Sequence, residues 1–159
     1  MTQEEKELLL KDLCGRLRSG LICSIYREDD EGFGWRDAEC KGYFQNNDSY
    51  EFYFEDVIAI DNIERLKPYL RPMLSMTEEE LDELLDCEDI DFDGKSELVK
   101  RAMLAFAEGD KLLSNALFSM QYAKTVDWLN AHHFDYRGLI KKGLAIEAPE
   151  GMYNNVITK

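Results

Sequence analysis

The sequence lacks most of the patterns that reveal a chain's chemistry. Its four cysteines are Cys14, Cys23, Cys40 and Cys87, and no two stand as C-x-x-C, which excludes a zinc-ribbon pattern. No apolar run approaches the ~18 residues that a bilayer-spanning helix needs. There is no G-x-S-x-G elbow, no P-loop and no dinucleotide fingerprint, and "GFG" (32–34) is too short to cradle a phosphate. Neither an internal repeat nor a low-complexity linker interrupts the chain. Positive charge is scarce in the first hundred residues, where 27 Asp/Glu face 12 Lys/Arg.

What is present is an acidic, foldable chain. At 159 residues with 45% apolar content it is long enough for a sizeable core without disulfides or metals. The net charge of −14 repels phosphate backbones and anionic lipid, which argues against direct nucleic-acid or membrane binding. It favours a basic protein partner, or one that itself binds DNA. The opening "MTQEEKE" is polar and acidic, unlike a signal peptide. The expectation is a cytoplasmic protein with reduced thiols packed as small apolar groups.

Periodicity predicts an α+β fold. Thr2 and Glu5 form a capping box for a first helix, with Leu9, Leu10, Leu13 and Leu17 as its apolar stripe. "LICSIYR" (21–27), "RDAECKGYFQ" (36–45) and "YEFYFEDVIAI" (50–60) read as strands, with "EDDEGFG" (28–34) as a loop. In the third, Tyr50, Phe52 and Phe54 alternate with polar neighbours, the mark of a half-buried strand. A small bent antiparallel sheet of three to five strands is expected, with a barrel-like closure as the alternative. Pro68 and Pro72 make 63–73 a connector. Residues 1–75 thus form a helix plus sheet, and 76–159 a helical part packed with it into one unit. Helices are predicted from Thr77, where Glu80 completes a capping box, over 97–107, weakly over 111–120, and over 121–133. The expected core includes Leu10, Leu13, Ile25, Phe52, Phe54, Leu70, Phe106, Trp128 and Leu139.

Two stretches invite a chemical reading. "DIDFDGKSELVK" (89–100) places Asp89, Asp91, Asp93 and Gly94 as in the first half of an EF-hand loop. The twelfth position, where a bidentate glutamate belongs, is Lys100, which points to weak divalent binding at most. "HHFDYRGLIKKG" (132–143) concentrates two histidines, an aspartate and an arginine. Adjacent helical residues diverge by about 100°, so His132 and His133 cannot both face one ion. The plainer reading is a helix–turn–helix corner: Asp135 caps the amides of Arg137 or Gly138, Gly143 ends the second helix, and Trp128, Phe134 and Leu139 are buried. Residues 77–97 hold eleven acids and one lysine. Their helix offers Glu78, Glu79, Asp82, Glu83 and Asp86 as a partner surface that could mimic a phosphate backbone, although charge runs are usually just solvated faces.

Three blocks, "MTQEEKELLLKDLCGRL", "IERLKPYLRPMLSMTEEE" and "DWLNAHHFDYRGLIKKGLAIEAPEGMY", together resemble a group of small uncharacterised bacterial proteins found among phage and mobile-element genes of gut anaerobes. No function is established for that group, so the resemblance transfers no site residue. By analogy it implies an inhibitor that blocks host proteins. The residues call for no cofactor and show no convergent catalytic set. The leading expectation is therefore an acidic cytosolic protein-binding module, with Tyr43 and Tyr53 as exposed aromatics. A metal-dependent enzyme or weak cation binder using 89–97 is the alternative, and a structural subunit of a phage particle is another.

Overall fold

The computed structural model describes residues 1–29, 32–46, 49–55, 59–60, 62–86 and 122–153. Helix α1 (Gln3–Arg16) starts at the predicted capping box: Glu5 N donates to Thr2 Oγ1 at 3.2 Å and Thr2 N to the Glu5 carboxylate at 2.7 Å. Its buried stripe is Leu9, Asp12, Leu13 and Arg16, and Leu10 and Leu17 are only half-buried. The helix is thus turned so that a charged pair, not Leu10 and Leu17, completes its inner face. Asp12 and Arg16 are one turn apart and satisfy each other there.

Among the described residues six strands form one open sheet in the order β4-β3-β2-β1-β5-β6: β1 (Ile22–Asp29), β2 (Gly32–Asn46), β3 (Ser49–Phe54), β4 (Ala59–Ile60), β5 (Leu66–Leu70) and β6 (Ile146–Glu147). Neighbours pair antiparallel except β5 and β6, which are parallel. The α+β class holds, but the sheet is mixed, has more strands than expected and does not close into a barrel. Two of the additional strands come from stretches that local sequence hides. β5 runs through Pro68, since a proline removes one donor without forbidding extended backbone; Leu66, Pro68 and Leu70 are buried, alternating with Lys67 and Tyr69. β6 is only two residues long, and the Ala148 amide extends its pairing by donating to Leu70 O at 2.8 Å.

The β1–β2 hairpin is longer than the sequence suggests. Glu28 pairs with Phe33 and Asp29 with Gly32, so most of the expected loop at 28–34 is strand. Gly32 has φ +107°, a backbone state that side chains disfavour. A bulge between Cys40 and Gly42 then changes which residues of β2 point inward.

Helix α1 covers one face of the sheet. There Leu9, Leu13, Ile25, Phe52, Phe54, Leu66, Leu70 and Leu139 share one core cluster. A second cluster joins Leu81 and Leu84 of α2 (Glu78–Asp86) to Trp128 and Leu129 of α3 (Tyr122–Ala131), with Met73, Phe134 and Tyr136. Of the expected core, Leu10 packs only at the margin of the first cluster and Trp128 belongs to the second, while Phe106 lies outside the described residues. The predicted helices over 97–107 and 111–120 also lie outside them. Among the described residues no helix is long and apolar enough to cross a membrane.

Candidate functional site

The histidine corner is structural in its geometry. Residues after Asp135 form turns rather than the predicted second helix. Asp135 does cap, but further on than expected: its Oδ1 accepts from Leu139 N at 2.7 Å and its Oδ2 from Ile140 N at 2.9 Å. His133 has φ +60°, which throws its ring away from that of His132. The His132 ring stacks on Trp128 at 3.8 Å and its Nδ1 meets Trp128 O. The His133 ring stacks on Tyr153 at 3.8 Å, and its Nε2 lies 2.8 Å from Ser19 O, so Nε2 carries the proton. Its Nδ1 is buried and has no hydrogen-bond partner among the described residues. Burial, aided by the nearby Arg16 charge, pushes the His133 pKa down to about 3. A neutral, enclosed imidazole has no approach for substrate.

Beside it lies a buried polar clasp. Arg16 donates to both Asp12 carboxylate oxygens, at 2.7 and 2.9 Å, and to Phe134 O at 2.8 Å and Leu129 O at 3.4 Å. Arg137 Nε adds a bond to Asp12 Oδ1 at 3.1 Å, and its guanidinium sits over the Tyr136 ring. These groups tie α1 to the segment after α3. A buried Arg–Asp pair could serve catalysis, but here carbonyls and a second arginine consume its bonds, which marks a structural role.

The acids predicted as a partner surface lie along α2, and one of them, Glu83, comes within 3.9 Å of His132 Nε2. Glu78, Glu79, Asp82 and Glu83 are exposed along α2, and Asp86 is the last residue of that helix. Glu80 turns the other way: it completes the Thr77 capping box and forms a two-pronged ion pair with Arg71 at 2.6 and 2.8 Å. Although burial opposes it, bonding to Arg71 and to the cap lowers the Glu80 pKa. Asp89, Asp91 and Asp93 lie outside the described residues. Among the described residues no three His, Cys, Asp or Glu side chains are grouped to hold a metal ion.

A surface that local reading missed lies on the sheet. Residues paired across antiparallel strands share a face. The pairs Ser24–Asp37, Tyr26–Trp35 and Glu28–Phe33 therefore lie together, opposite the face that carries buried Cys23 and Ile25. Phe33 is 64% exposed and Trp35 45%. Tyr26 bridges them, stacked on Phe33 at 6.2 Å and edge-on to Trp35 at 5.5 Å. Asp37 accepts from Tyr69 at 3.0 Å, which carries the surface across to β5. Beyond the bulge the parity of β2 reverses: Tyr43 shares a face with buried Phe52, and Phe44, 55% exposed, joins Glu51 on the open side. Tyr53 donates to Glu51 there, and that bond raises the tyrosine pKa. Of the two expected exposed aromatics, Tyr43 is exposed but on the core-facing register, and Tyr53 is half-buried on the open face. The signal for this surface was the alternation Phe33, Trp35, Asp37, masked because the glycines around Phe33 resemble a loop.

No protein-family model, curated protein or solved structure matches this chain.

Proposed function

We propose that this chain is an acidic, non-enzymatic protein-binding module and that the open face of its sheet is the contact surface. The observation that carries this reading is the cluster of Tyr26, Phe33 and Trp35 on the open face of the β1–β2 hairpin, with Phe33 and Trp35 exposed. Large exposed aromatics grouped together mark binding surfaces more often than single exposed apolar residues do. Two further points support it. His133 Nε2 and both carboxylate oxygens of Asp135 are spent on internal bonds, and the charge of −14 directs the choice of partner toward a basic protein. Within this reading, the resemblance to mobile-element proteins makes capture of a host protein the proposed role, and the cytoplasm its proposed site.

The test compares captured proteins between three forms of the tagged chain: the natural sequence, Phe33→Ala/Trp35→Ala, and Glu78→Gln/Glu79→Gln/Asp82→Asn. A nuclease-resistant partner lost only with the sheet variant supports the reading. A partner lost only with the α2 variant moves the surface to that helix and favours phosphate mimicry. No partner shared by any two forms refutes the module.

A further inference from the structure

The chemistry of the open face specifies more than an apolar patch. Each exposed ring has a carboxylate beside it. Glu28 stands directly across from Phe33, and Asp37 is two residues beyond Trp35 on the same face. Glu51 takes the same place across from Phe44. A ring face attracts a cation through its quadrupole, and a neighbouring carboxylate completes the bonds of a guanidinium. A lysine ammonium uses such a box less well, because it is compact, strongly hydrated and not planar.

Resting on the reading above, we propose that the open face binds an arginine-rich segment of its partner, with guanidinium planes laid on Trp35 and Phe33 and bonded to Asp37 and Glu28. Charge complementarity selects this occupant. A second copy of the chain would bring the same carboxylates against themselves, and like charges opposed across a two-fold interface disfavour it. A nucleic acid is repelled by the same charges. Successive outward residues of a strand are about 7 Å apart, which matches alternate side chains of an extended peptide.

The experiment is calorimetric titration of the full chain with an oligo-arginine peptide and an oligo-lysine peptide of equal length, at low and moderate salt. The arginine peptide is expected to bind roughly tenfold more tightly, the equivalent of one or two cation–π contacts with their carboxylate bonds. Phe33→Ala/Trp35→Ala should abolish that preference while leaving the weaker, salt-sensitive attraction common to both peptides. Glu78→Gln/Glu79→Gln should weaken both peptides equally and keep the preference. An unchanged urea midpoint in Phe33→Ala/Trp35→Ala shows that the fold survives. Equal affinity for the two peptides overturns the proposal, as does a preference that survives Phe33→Ala/Trp35→Ala. Light scattering that shows a dimer dissolved by Trp35→Ala overturns it in favour of self-association. A lysate partner that depends on Trp35 but shows no arginine preference would sink this inference and leave the binding-module reading standing.

Discussion

Removing the Asp12 side chain tests whether the buried clasp ties α1 to α3 and the segment after it. In the native structure Arg16 and Asp12 are both fully buried, and two of the guanidinium's bonds go to that carboxylate. In Asp12→Ala, Arg16 keeps only the carbonyls of Leu129 and Phe134, and Arg137 loses its bond as well. Hydrogen bonds to charged groups contribute about 1.5–3 kcal/mol each, and stranding one member of a buried ion pair costs about 3–5 kcal/mol. The expected loss is therefore about 4 kcal/mol, a large part of the ~5–15 kcal/mol that a domain has. Urea unfolding followed by tryptophan fluorescence measures it. Replacing both partners by apolar residues, Asp12→Leu/Arg16→Met, should be far milder, about 1 kcal/mol either way, because no charge is left stranded. A loss under about 1 kcal/mol for Asp12→Ala would refute the reasoning, since it would mean that water reaches Arg16 and replaces the carboxylate. So would a double variant as damaged as the single one.

Other outcomes follow from the same geometry. His133 is neutral in the fold, with a pKa of about 3 against an ordinary 6.5, so the unfolded chain binds the extra proton. Its contribution is fully present above pH 6.5 and is lost as pH falls toward 3: about 2 kcal/mol should be gone by pH 5, and His133→Asn, which tolerates the positive φ, should flatten that part of the urea-midpoint profile. Asp135 works in the opposite direction: burial raises its pKa, so the fold holds that proton more tightly than the unfolded chain, and its protonation on acidification should return some stability. Leu9→Ala should cost about 2–5 kcal/mol and Leu10→Ala much less, as judged by denaturant midpoints; the reverse order would mean that α1 is rotated. Thr2→Ala should cost about 1 kcal/mol in the same assay by removing the cap of α1.

Short-range chemistry determined a good deal of this protein by sequence alone. The capping boxes at Thr2 and Thr77, the alternation of Tyr50, Phe52 and Phe54, and the excess of acid each depend on residues a few positions apart, and each is legible without coordinates. Asp135 was recognisable as a cap, though the amides it serves were not, because the turn it closes is fixed by backbone bonds to Arg71 and Phe134. Only the tertiary structure decided the rest. Asp12 and Arg16 face inward because carbonyls 113 and 118 residues away complete their bonds. β5 is a strand despite its proline because β1 and β6 flank it. The aromatic face exists because the hairpin register sets Tyr26 across from Trp35 and the bulge brings Phe44 to the same side. Local propensity proposes elements, but which face of each is buried depends on contacts between distant parts of the chain, and residue spacing carries no record of those partners.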